Sequence, residues 1–217
     1  RNEYLSPRSP YTTLQIPKQG IGEWCHPLHT VDINDAGLRS SVQNGILNTE
    51  LGIPFRTPAE GHNVAFTSLW DNYPDSLEIP LKGKASRAYL LMAGSTNHMQ
   101  CHIDNGVIRI YYKDGTRDVM FLRNPDNWPP IEHIFFEDGL AFNRHTPALY
   151  RLRLKTGEIS NNFGEELGFP GASRELDGGA AVLLEMPLNP GKKLSHLVLE
   201  TLSNDVVIGL MSITLQR

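Results

Sequence analysis

The chain has 217 residues, 40% of them hydrophobic, with 20 Lys and Arg against 24 Asp and Glu and a formal charge of -4 at pH 7. That length and apolar content can bury a substantial core, which excludes a disordered chain. The basic residues are scattered and form no stripe, which argues against a nucleic-acid partner, and no apolar run approaches the ~18 residues that a membrane-spanning helix needs.

The sequence opens at Arg1 and not at Met, as expected of a trimmed chain or an excised domain. Residues 1–22 carry Pro7, Pro10 and Pro17 among Ser, Thr and Gln, predicting an extended arm or linker packed at its end by Ile16 and Ile21; 23–217 then form a single domain. Turn signals at 35–37 and at Asn44-Gly45 flank 38–42, at most a helical turn. The prolines of 51–58, LGIPFRTP, suit a strand edge or a crossing loop. Residues 64–70 alternate as a strand that ends in the aromatic and polar turn 70–74, and Leu77, Ile79 and Leu81 share a face of the next.

The stretch 86–123 is the most informative. Residues 89–93 form a short apolar run, long enough for a buried strand and too short for an ordinary helix, and the polar loop 94–105 follows. Asp114-Gly115 between 107–113 and 116–122 predicts a two-residue type I′ hairpin turn. In that register Ile110 faces Val119 and Ile108 faces Phe121, all four on one face.

Beyond Arg123, NPDNWPPIEH reads as loop, and 131–136 with 141–143 as a hairpin around Glu137-Asp138-Gly139. Tyr150, Leu152 and Leu154 are expected inward, with Arg151, Arg153 and Lys155 outward. A Gly-rich loop with one helical turn covers 161–174, and 180–184, 194–202 and 206–215 are the last strands. About ten strands with hardly any helix predict an all-β fold, two antiparallel sheets packed face to face as a jelly roll or related sandwich.

No GxSxG, HExxH or P-loop is present, and no cofactor is expected. Cys and imidazole are good zinc donors, so Cys25, His29, Cys101 and His102 are a candidate metal set; the competing reading is separate loop histidines with buried or disulfide-bonded thiols. Glycoside hydrolysis would need a carboxylate pair, for which Asp71 and Glu132 are candidates among several loop carboxylates that also read as solvated surface charge. Sugar recognition pairs a flat ring with hydroxyl-bonding groups. Trp70, Asp71, Tyr73, Asn97, His98, Asn127 and Trp128 offer that combination, against the alternative that Trp70 and Trp128 are core residues at strand and sandwich ends.

QGIGEWCHP at 19–27, GIPFRTP at 52–58, FTSLWDNYPDS at 66–76, LMAGSTNHMQ at 91–100 and LSNDVVIGLMSITLQR at the end carry a resemblance. The chain resembles, over nearly its whole length, the C-terminal β-sandwich region of large secreted carbohydrate-active proteins of Bacteroides-type gut bacteria, the family labelled DUF4450. The strand order also looks like a galactose-binding-type jelly roll. The resemblance implies a carbohydrate-binding or enzyme-supporting module exported to the periplasm or cell surface, whose partner is a glycan or a neighbouring catalytic domain. It assigns no residue a role. The alternative is a glycoside hydrolase in its own right.

Overall fold

The computed structural model of the chain describes residues 6–16, 32–69, 72–97, 100–134, 144–163 and 174–217. In chain order the first elements are β1 (Tyr11–Thr12), α1 (Ala36–Ser40), β2 (Val42–Gln43), β3 (Ile46–Asn48), β4 (Pro54–Arg56), β5 (Val64–Thr67), β6 (Ser76–Pro80) and β7 (Arg87–Thr96). They are followed by β8 (Asp104–Tyr112), β9 (Arg117–Arg123), β10 (His133–Ile134), β11 (Tyr150–Arg153) and β12 (Ile159–Ser160). The last are β13 (Arg174–Glu175), β14 (Ala180–Pro187), β15 (Leu194–Thr201) and β16 (Val206–Gln216).

A seven-stranded sheet, β1-β5-β16-β7-β14-β11-β12, packs against a four-stranded sheet, β6-β15-β8-β9, and every pairing of these strands is antiparallel. The expected β-sandwich is therefore the fold. Its main core lies between the sheets: Leu90 and Met92 of β7, Val182 and Leu184 of β14 and Ile208 of β16 meet Ile108 and Ile110 of β8 and Leu197 and Leu199 of β15. The apolar runs LLMA, AAVLL and VVIGLM have no polar alternation because the large sheet is covered twice. On its other face Leu91, Leu183, Val207, Phe66 and Leu152 pack with Leu38 of α1, Leu47 of β3 and Phe55 of β4. Leu14 and Ile16 belong to this second core, so the described part of the arm, 6–16, lies against the sandwich.

The double cover explains one departure from expectation. Arg151, expected outward, is 7% exposed, because the sheet has no solvent face there. Its guanidinium donates to the carbonyls of Ala181 (3.2 Å), Ala180 and Pro130 (3.0 Å each). Burial lowers its pKa to about 10, against the opposing pull of the Glu132 charge.

The Asp114-Gly115 hairpin is present, but its register differs by one residue. The loop has three residues, 113–115: the Tyr112 and Thr116 backbones bond at 2.9 Å, the Gly115 N–H returns to the Tyr112 carbonyl, and Gly115 takes φ +85°. Asp114 stabilises this longer loop by accepting both the N–H (2.9 Å) and the hydroxyl (2.5 Å) of Thr116. Ile108 therefore pairs with Met120 and Ile110 with Asp118, while Val119 and Phe121 pair with Arg109 and Val107. A one-residue slip turns alternate side chains over. Val119 and Phe121, expected in the core, are 42% and 43% exposed.

Beside the turn, the buried Tyr112 hydroxyl donates to the Asp118 carboxylate and accepts the Asn189 N–H at 2.8 Å. Burial first, then the bond to Asp118, pushes its pKa up to about 12 from 10.0. Between those values the unfolded chain loses a proton that the folded chain keeps, so this contribution to stability falls as pH rises above 10. Denaturation midpoints measured across that alkaline window should decline more steeply for the parent than for Tyr112→Phe.

Within 131–136, β10 pairs with β13; the partner expected at 141–143 and the helical turn expected at 165–167 lie outside the described residues.

Candidate functional site

Trp70, Asp71, His98, Cys25 and His29 lie outside the described residues. Tyr73 is 5% exposed, edge-on to Phe66 with ring centroids 5.4 Å apart and the Arg8 guanidinium 5.4 Å from its own centroid. Trp128 is completely buried in the inter-sheet core. Neither ring has a face to lay against a sugar, which corrects the loop-platform expectation for these two. Asn127 braces the exit of β9, accepting the Arg123 N–H at 2.7 Å and donating to the Phe121 carbonyl at 2.9 Å. Asn97 is tied to Asp205 by its backbone at 3.0 Å and its amide at 3.5 Å. Glu132 is 1% exposed beside the buried Arg151, a placement that suits a structural charge and keeps it from any substrate. Cys101 and His102 stand together where residue 101 bridges Asn124.

The strands open a different site. β16 pairs with β5 only through Leu210 and then bulges between Leu210 and Ser212. Past the bulge β16 is flanked by β4: Ser212 donates its hydroxyl to the Arg56 carbonyl at 2.8 Å, and Thr214 to that of Pro54. The change of neighbour leaves a cleft of about 440 Å³, within the ~300–1,000 Å³ usual for small-molecule sites. Leu81, Leu210, Met211 and Ile213 supply apolar wall, and Tyr11, Arg56, His62, Asn63 and Ser212 supply the ring and polar groups. Tyr11, held on the sheet by pairing with Ala65, is 58% exposed.

The wall is fixed before any ligand arrives. Asp35 accepts Arg39 Nε at 2.9 Å and Asn63 Nδ2 at 2.8 Å through one oxygen, while Arg39 donates to the carbonyls of Ala59 (3.3 Å) and Gly61 (3.0 Å). The Asn63 N–H is bonded to the Thr12 carbonyl at 3.0 Å, which ties the His62 loop to the strand that carries Tyr11. A preorganised wall lowers the ordering cost of binding. Among the described residues no aspartate or glutamate lines this cleft.

A second, more polar cleft of about 370 Å³ lies among Ser41, Asn48, Thr49, Glu50, Thr156 and Glu158. The outer face of the four-stranded sheet is a further surface. Its paired rows read Pro80-His196-Tyr111-Arg117, Glu78-Val198-Arg109-Val119 and Ser76-Glu200-Val107-Phe121. Tyr111 stacks on His196, centroids 4.7 Å apart and planes 10° apart, and Arg117 donates to its hydroxyl at 3.0 Å. Arg109 pairs with Glu200, leaving Val119 and Phe121 as the open apolar part of this face.

No family model matches the chain, and no curated protein or solved structure matches it.

Sequence reasoning missed Tyr11, Arg56 and His62 because they sit in a proline-rich arm, a short edge strand and a turn. The one available signal was Tyr11 itself, a large ring in an otherwise polar stretch.

Proposed function

We propose that the chain is a noncatalytic, carbohydrate-binding jelly-roll module of a secreted polysaccharide-degrading protein, related to the DUF4450 family and exported to the periplasm or cell surface. The observation that carries this reading is the preorganised cleft in which Tyr11 and an apolar wall stand beside Arg56 and His62 with no carboxylate among them. A pyranose presents C–H faces that pack on rings and aliphatic side chains, and hydroxyls that bond guanidinium, imidazole and hydroxyl groups. That division matches the lining of the cleft. Titration of the isolated chain against a panel of plant-polysaccharide oligosaccharides tests it: saturable binding of at least one is expected, and a panel that binds nowhere overturns it.

A second reading has its own observation. Val119 and Phe121 expose apolar surface on the edge strand β9, a surface that suits packing against a neighbouring catalytic domain. Enzyme support through this face is the reading left if every glycan fails.

A further inference from the structure

Away from the cleft, three loop segments meet at the end of the four-stranded sheet. His102 precedes β8, at φ +55°, with its N–H donating to the Asn124 carbonyl at 2.7 Å. Asp126 lies in the turn that leaves β9, held where the N–H groups of Asn127 and Trp128 return to the Arg123 carbonyl at 3.0 and 3.1 Å. His145 belongs to the segment leading to β11 and is fastened twice to the same turn: its N–H donates to Asp126 Oδ1 at 2.7 Å, and the next hydroxyl, Thr146, donates to the Asp126 carbonyl at 2.7 Å.

These bonds bring two imidazoles and one carboxylate together. The rings of His102 and His145 have centroids 4.8 Å apart and planes inclined by 34°. Asp126 Oδ2 lies 3.7 Å from His145 Nδ1, and one ligand atom from each of the three residues falls within 4.8 Å of the others. We propose that His102, Asp126 and His145 bind one divalent transition-metal cation of the zinc type.

Two imidazole nitrogens and one carboxylate oxygen form a donor set that zinc and its neighbours accept, and a hard cation such as magnesium or calcium prefers all-oxygen shells. Ligands of a tetrahedral zinc at ~2.0–2.1 Å stand roughly 3.3 Å apart, so closure from separations within 4.8 Å asks for up to about 1.5 Å of side-chain movement. The His145 side chain, 64% exposed, is free to make it. Asp126 divides its work: Oδ1 keeps the His145 N–H, an orienting contact of the kind that supports metal sites, while Oδ2 faces the site. The nearby competitor for that carboxylate is Arg123, whose Nε is already engaged by Asp104 at 2.5 Å. The three residues leave a fourth coordination position for water or an incoming ligand. Of the four metal candidates read from sequence only His102 is in this group; its partners come from segments 24 and 43 residues further along the chain.

This inference does not rest on the glycan reading. Protein stripped with chelator and desalted is titrated with zinc chloride at neutral pH, by calorimetry and by thermal unfolding. One saturable site per chain and a higher unfolding midpoint with zinc are expected. His145→Ala and Asp126→Asn should each weaken binding by about tenfold or more, and Glu60→Gln, an exposed carboxylate in another loop, should leave it unchanged. Absence of saturable binding overturns the proposal, and so does binding to His145→Ala as tight as to the parent. His145 is exposed enough for that variant to fold, so it decides the matter even where Asp126→Asn is unstable.

Discussion

Replacing Trp128 by alanine is expected to lower the free energy of unfolding by about 3–5 kcal/mol, the range for a fully buried tryptophan. Its indole lies in the inter-sheet core with Leu122, Met92 and Ile208, and its own strand partner is absent because the segment is loop. Gly94 of β7 makes the room: a Cβ there would stand 2.6 and 2.9 Å from two atoms of the indole and 2.0 Å from the Val207 carbonyl oxygen. The indole Nε1 is buried with no hydrogen-bond partner among the described residues. Trp128→Phe removes that unpaired donor and keeps most of the ring, so its loss should be smaller, about 1–2 kcal/mol. Urea unfolding separates the two. A Trp128→Ala protein within about 1 kcal/mol of the parent contradicts the core placement.

Gly209→Ala is expected to cost more than about 3 kcal/mol, beyond the ordinary range for one added methyl group. Gly209 sits mid-strand in β16, between Phe66 of β5 and Ala93 of β7. An added Cβ would meet the Ala93 carbonyl oxygen at 2.3 Å, Phe66 Cε1 at 2.6 Å and Val64 Cγ2 at 2.7 Å. The first of these is backbone in a central strand and cannot swing aside. Relief requires β5, β16 and β7 to separate locally, and β5 is also the strand that carries the β1 edge and Tyr11. Circular dichroism and denaturant midpoints should show an unfolded or strongly destabilised chain; a midpoint close to the parent's contradicts the strand packing.

Much of the scaffold was legible in the residues. Short apolar runs marked β7, β14, β15 and β16, and Asn44-Gly45 marked the β2–β3 turn, where both residues take positive φ. What one chain could not show was tertiary context. The alternation of 150–155 predicted a half-buried strand, and Leu152 does pack under the layer of β2, β3, β4 and α1, but Arg151 pairs with Val182 on the opposite, inter-sheet face, where the Pro130 segment covers it. The Asp-Gly dipeptide was read as a two-residue turn, and the Asp114 carboxylate, bonded to Thr116 and paired with Lys192 at 3.0 Å, holds a three-residue one. That single extra residue moved Phe121 from core to surface. The candidate cleft was less legible still, since Tyr11, Arg56 and His62 converge only because β16 bulges and changes partner. Aromatic loops drew attention to Tyr73 and Trp128, where the large rings were serving burial. The His102, Asp126 and His145 group has no sequence signature at all, being assembled from three loops.

The central claim is glycan recognition in the Tyr11 cleft, and calorimetric titration of parent and Tyr11→Ala protein with an oligosaccharide selected from the panel tests it most directly. Tyr11 is more than half exposed, so its removal leaves the core untouched. Loss of one ring contact in a small-ligand site should weaken binding by about tenfold, on the order of 1–2 kcal/mol. Unchanged affinity in Tyr11→Ala would contradict the cleft as the site.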